Sequence, residues 1–199
     1  MRGFFLGLAG MLLLLSGCLV PEKFTIVYEL NSNGDYSYKY DGTMVNALSR
    51  MSSLEAAQKG KTLSASKAGE EAKAMAEQFK ADPRVTDFKE IGNDTYKIKM
   101  EEKGNIKEKG SSTFLDKDLN YWTLKYNAKD NTVTLAVPPI KNKDLEEVKI
   151  KLDGEFKIST NCEIVSASAK LDKSFFGNTR SFKINNNSTE GVTVLMNLK

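Results

Sequence analysis

From Phe24 onward most of this chain places an apolar side chain at every second position. Phe24, Ile26, Tyr28 and Leu30 alternate with Thr25, Val27 and Glu29, the period of a strand with one buried face. The polar run NSNGD then signals a turn, and YSYKYDG resumes the alternation with Tyr36, Tyr38 and Tyr40 on one face. The two segments read as a β-hairpin with a loop of about five residues. The same period returns after Arg84. RVTDFKEI and DTYKIKME flank Gly92-Asn93, NYWTLKY leads through NAKDN into TVTLAVPP, and EEVKIKLDGEFKIST bends at Asp153-Gly154. CEIVSAS, RSFKINN and GVTVLMNL complete about seven strands in hairpin succession, with 103–120 as the longest irregular loop.

Between these two blocks the period changes. Met44, Leu48 and Met51 recur at i, i+4 and i+7, which predicts a helix over Thr43–Gln58. KGKTLSAS interrupts it. Ala68, Ala72, Met75 and Phe79 then predict a second helix over Ser66–Lys80, capped by Ser66 and stopped before Pro83. Its apolar stripe is thin, which suits packing on a sheet rather than inside a bundle. The expected fold class is therefore α+β, a largely antiparallel β-sheet with two helices inserted after an N-terminal β-hairpin. No repeat or low-complexity linker divides it, so 24–199 reads as a single domain.

The start of the chain follows different rules. Arg2 is the only charge in the first 21 residues, and Phe4–Leu15 is a nearly pure apolar run of twelve. A helix needs about 20 apolar residues to span a bilayer core, so this run is too short. A positive start, a short apolar middle and small residues Ser16 and Gly17 are the layout of a secretory signal. Leu15-Ser16-Gly17-Cys18 resembles the lipobox of bacterial lipoproteins. The resemblance implies cleavage after Gly17, removal of 1–17 as a signal peptide, and diacylglycerol and fatty-acyl (palmitate-type) modification of Cys18. Two or more acyl chains give stable anchoring where one is marginal. Residues 18–23 would then form a short lipid-anchored tether of at most about 20 Å. The protein would sit on the extracytoplasmic face of a bacterial membrane, inner or outer.

Composition removes the histidine-dependent enzymatic chemistries and leaves carboxylate-pair hydrolysis and Ser-Lys chemistry open. Taking 17 residues from 199 leaves 182, and losing Arg2 leaves 28 basic against 26 acidic residues, a net charge of +2. That balance gives no basis for nucleic-acid binding. The chain has no histidine, which removes His-dependent nucleophile activation and His-based zinc sites. With Cys18 acylated, Cys162 is alone, unable to form an intramolecular disulfide, and reads as a small buried thiol. Asp116-Lys117-Asp118-Leu119-Asn120 opens like a calcium loop, but Tyr121 stands at its sixth position and Asn127 at its twelfth, where Gly and Glu are needed. The pairs Glu70-Glu71, Glu101-Glu102 and Glu146-Glu147 diverge on a helix or strand and read as solvated charge. No cofactor and no metal site is expected.

Two aromatic rows remain, Tyr36, Tyr38 and Tyr40, and Trp122 with Tyr126. Such rows stack on sugars, sit at a membrane interface, or bury against helices. Lys97 and Lys99, and again Lys149 and Lys151, lie opposite the apolar face, where they keep a sheet soluble or meet anionic headgroups. By element order the chain resembles LppM-type bacterial lipoproteins. The matching pieces are LSGC, KFTIVYEL, YSYKYDG, LDGEFKISTNCEIVSASA and GNTRSFKINN, with Cys162 and Phe182 standing where that family tends to have Gly and Trp. The resemblance implies an envelope lipoprotein that contacts lipid or glycolipid without catalysis. The expectation is thus a non-enzymatic, membrane-anchored envelope lipoprotein that binds lipid, glycolipid or a partner protein. A structural or assembly subunit of an envelope complex is the alternative, and a carboxylate-dependent hydrolase of envelope polymers ranks last.

Overall fold

Tyr36, Tyr38 and Tyr40 face Leu30, Tyr28 and Ile26 across one antiparallel ladder, and those six side chains set the inner face of a large sheet. A computed structural model describes residues 19–58, 74, 76, 77, 79–114, 122–139, 142–173, 178–188 and 190–199. The hairpin is β1 (Leu19–Leu30) and β2 (Asp35–Asn46). It continues through β3 (Val85–Gly92), β4 (Thr95–Asn105), β8 (Asp153–Thr160), β10 (Asp172–Lys173) and β11 (Thr179–Asn185). These form a seven-stranded sheet in the order β10-β11-β8-β1-β2-β4-β3. The remaining strands are β5 (Ser111–Thr113), β6 (Thr123–Asn127), β7 (Thr132–Val137), β9 (Glu163–Ala167) and β12 (Val192–Asn197). They form a second, five-stranded sheet in the order β5-β6-β7-β12-β9. Inward side chains of both sheets make one cluster, from Phe24, Tyr38 and Phe156 to Trp122, Leu135 and Val194.

The α+β class, the largely antiparallel pairing and the β6–β7 hairpin are as expected, but the strands after β4 do not all follow one another as hairpins in one sheet. The chain crosses from the large sheet to the small one after β4, returns for β8, and crosses again for β9 and β12. β8 lies parallel to β1. The 103–120 segment contains the short helix α2 (Ile106–Lys109) and β5, with 115–120 outside the described residues. The strand expected from Val148 begins only at Asp153. Helix α3 (Asn142–Glu147) precedes it, and Lys149 turns the chain at a positive φ of 54°.

β1 also starts earlier than its alternation suggested. Leu19, Val20 and Pro21 pair with Asn46, Val45 and Met44, and the register slips between Pro21 and Phe24. One extra residue in β1 makes this a bulge. It puts Leu19 on the same face as Phe24 despite an odd separation, and leaves Val20 on the opposite face. There Val20 packs with Val45, Ala47, Val148 and Ile150 beneath α1 (Ala47–Gln58) and α3. Helix α1 begins at Ala47 rather than Thr43, because Thr43–Asn46 completes β2 and the Asn46 side chain accepts from Ser49 N–H at 3.0 Å. Most of the second expected helix, 66–80, falls outside the described residues. Ala74, Ala76, Glu77, Phe79 and Lys80 are helical, and Phe79 packs on Phe88, with ring centroids 6.3 Å apart.

Phe24 is the hub of the interior. Its ring lies 5.0 Å from Trp122, 5.6 Å from Tyr40 and 6.0 Å from Phe156. Both of its ladder partners are glycines, Gly42 and Gly154. A methyl group on Gly154 would stand 2.2 Å from Phe24 Cζ. Gly154→Ala therefore displaces the central ring and is expected to destabilise the domain by about 1–3 kcal/mol, read as a lowered urea midpoint at unchanged slope. An unchanged midpoint would show that the ring is free to move aside.

Candidate functional site

The aromatic rows are inside the protein. Tyr36, Tyr38, Tyr40 and Trp122 are 0–3% exposed, and Tyr126 is half-buried at the margin of the same cluster. Trp122 stacks on Phe114 at 4.4 Å and meets Phe156 edge-on at 4.8 Å. The Tyr40 hydroxyl donates to Thr43 C=O, and the Tyr126 hydroxyl donates to Asn131 Oδ1, each at 3.1 Å. The rows therefore build the core between the sheets, and an exposed binding surface has to be sought elsewhere. Cys162 is a free, buried thiol. Cys18, the candidate lipidation site, and the Asp116–Asn120 run lie outside the described residues.

The interior carries a charge that the sequence reading placed in solvent. Glu102 follows the inward parity of Tyr96, Ile98 and Met100 along β4 and stands opposite Tyr38, its side chain only 8% exposed. It is therefore not solvated charge, although its neighbour Glu101 is, with its carboxylate on Lys103 at 3.0 Å. Glu102 Oε1 accepts from the Tyr36 hydroxyl at 2.5 Å, Lys109 Nζ at 2.6 Å and Ser112 Oγ at 2.7 Å. Its Oε2 accepts from Arg84 Nη1 at 3.3 Å. Arg84 is also gripped by Asp82 through Nε and Nη2, at 3.0 and 2.6 Å, and Nη1 donates to Thr113 C=O at 3.3 Å. Burial alone would raise the Glu102 pKa, but the bonds from Lys109, Tyr36 and Ser112 outweigh it and hold the group at about 2. Burial, and then the bond to Glu102, push the Tyr36 hydroxyl up. A carboxylate committed to four donors and held ionised is not a general acid, and the cluster acts as a joint between β4 of one sheet and β5 of the other.

A second polar cluster sits where β1 begins. Asn93 and Asp94 form the two-residue β3–β4 turn with φ of 52° and 57°, the left-handed pair that such hairpins require. Helix α1 is fastened to this turn. Ser49 and Ser53 hydroxyls donate to the Asp94 carboxylate, Ser53 at 3.0 Å, and Arg50 Nη2 donates to Asn93 C=O at 2.5 Å and Thr95 Oγ1 at 3.1 Å. Beside it the register of β3 slips between Glu90 and Gly92, leaving Ile91 unpaired and 51% exposed. Ile91 and Val165 are the exposed large hydrophobic residues among the described residues. An open groove of about 790 Å³ runs from Glu22 past Arg50 and Leu54 to Ile91. Neither bulge left a signal in the apolar period except the loss of phase at Pro21–Lys23.

No family model matches the chain, and no curated protein matches it. Among solved structures it is similar to the NMR structure of the folded domain of LppM from Mycobacterium tuberculosis, at 8% identity and a TM-score of 0.47, covering 93% of this chain and 94% of that one. A likeness of that size leaves the functional reading to the chain's own residues.

The Glu102 joint has a pH signature. Its folded pKa of about 2 lies below the ordinary 4.5, so its stabilisation is complete above the ordinary value and is lost as pH falls toward 2. Urea midpoints of the wild type should drop across that window more steeply than those of Glu102→Gln, and equal slopes would contradict the assignment. At neutral pH, Glu102→Ala removes the shared acceptor of Tyr36, Lys109 and Ser112 while Arg84 keeps its bonds to Asp82, and should cost about 1–3 kcal/mol.

Proposed function

We propose that the chain is a bacterial envelope lipoprotein, acylated on Cys18 and held against the extracytoplasmic face of a membrane, where it binds lipid, glycolipid or a partner protein without catalysis. The observation that carries this reading is the directness of the link. Leu15-Ser16-Gly17-Cys18 ends one residue before Leu19, and Leu19 is already the first residue of β1, buried and paired. Residues 19–23 thus belong to the sheet and not to a free tether. A domain attached this closely works on the membrane or on molecules next to it. Among the described residues no helix is long and apolar enough to cross a bilayer, so acylation of Cys18 is the attachment this reading relies on.

The absence of histidine from the sequence and the saturation of Glu102 by donors support a binding role over catalysis. One feature favours the alternative of an assembly subunit. β9 is an edge strand of the small sheet, and Val165 on it is 50% exposed, a surface to which another chain could pair.

Cys18→Ala should abolish palmitate labelling and move the protein from the membrane to the soluble fraction, and a variant that still labels would overturn the reading. Mass spectrometry of molecules that co-purify with the intact protein separates the two roles. A defined lipid or glycolipid supports the first in its lipid-binding form, and a stoichiometric protein with no lipid leaves protein partnering, the mode that the assembly role requires.

A further inference from the structure

The position of Cys18 relative to the sheet also fixes which end of the domain meets the bilayer. On the reading that Cys18 is acylated, we infer that the domain stands end-on, with the β3–β4 turn and its exposed Ile91 seated in the lipid interface. Cys18 Cα lies about 3.8 Å from Leu19 Cα, and Leu19 and Val20 are 5% and 8% exposed, packed on opposite faces of the sheet. No free residue separates position 18 from the sheet.

The strand register names everything at that end. Leu19 and Val20 pair with Asn46 and Val45, and Val45 pairs with Thr95, the first residue after the Asn93–Asp94 turn. Gly92 pairs with Thr95 in turn, so Ile91 lies three ladders across from the anchor, about 14 Å at the usual strand spacing. β8 runs parallel to β1 and enters from the same end, which places exposed Lys149 and Lys151 there as well. The bulge that leaves Ile91 unpaired aims a β-branched apolar side chain at the surface, the use to which such bulges are put at functional edges. The α1 clamp from Ser49, Arg50 and Ser53 makes this turn a rigid foot.

The rival arrangement would lay the outer face of the large sheet on anionic headgroups through its lysines. Several lysines of that face are already held by carboxylates. Lys99 pairs with Asp41 at 3.3 Å, Lys103 with Glu101 at 3.0 Å, and Lys157 with Glu155 at 3.1 Å. The foot itself sets Lys149 and Lys151 against exposed Glu90, Glu146 and Glu147, so it offers no net attraction to anionic headgroups, and the contact that Ile91 makes is insensitive to salt. The Asn31–Gly34 turn and α2 then stand about 35 Å from the anchor, the length of β1.

The test uses full-length acylated protein in phosphatidylethanolamine–phosphatidylglycerol vesicles, on a Cys162→Ala background, with single cysteines in Ile91→Cys, Lys99→Cys and Glu108→Cys carrying an environment-sensitive fluorophore. The position-91 probe should shift to the blue and be quenched several-fold more by nitroxide lipids than the probes at 99 and 108, equally at low and high salt. Quenching at 99 that matches or exceeds that at 91 would establish the face-on arrangement and overturn the inference. An aqueous spectrum at 91 in protein that co-floats with vesicles overturns the end-on orientation alone, whereas protein that neither carries acyl chains nor floats overturns the anchor reading with it.

Discussion

Glu102 is the residue on which the pairing of the two sheets depends. Most of the rest of the described interior is apolar and aromatic, and burial of that kind is not directional. A carboxylate taken out of water costs several kcal/mol unless its lone pairs are met by well-placed donors. Here each donor comes from a different element: Tyr36 from β2, Lys109 from α2, Ser112 from β5, and Arg84 from the approach to β3. Meeting them all at once fixes β5 against β4 and sets the point where the chain passes from the large sheet to the small one. The aromatic hub around Phe24 then fills the space between the sheets, with room made by Gly42 and Gly154 on either side.

Most of the strands were legible because they have one buried face, and alternation reports that directly. Phe24–Leu30, Val133–Val137 and Val192–Met196 all bury the residues the period marks. What alternation does not carry is the identity of the facing partner. The strands of both sheets have the same period, so the division into seven and five, and the parallel pairing of β1 with β8, left no trace in it. Phase breaks misled at the elements' ends. The bulge at Pro21–Lys23 hid five residues of β1, and the helical spacing of Met44, Leu48 and Met51 ran across the β2–α1 junction that Asn46 caps.

The candidate surfaces were harder to read. Tyr36, Tyr38, Tyr40 and Trp122 have the composition of a ligand platform, yet hydroxyl partners at Glu102, Arg84 and Thr43 let the three tyrosines be buried. Glu102 itself had the inward parity of Met100, but its donors lie at 36, 84, 109 and 112, and only the fold brings them together. The foot around Ile91 depends on a register slip that no residue type announces.

The proposed anchor would meet the fold at one peptide bond, between Cys18 and Leu19, and the proposed role rests on what is attached there. Intact-mass and N-terminal peptide mass spectrometry of the protein isolated from bacterial membranes tests this most directly. The account predicts a mature chain that begins at Cys18, lacks 1–17, and carries a diacylglycerol thioether on its first residue. A mature N-terminus elsewhere, or an unmodified Cys18, would contradict it.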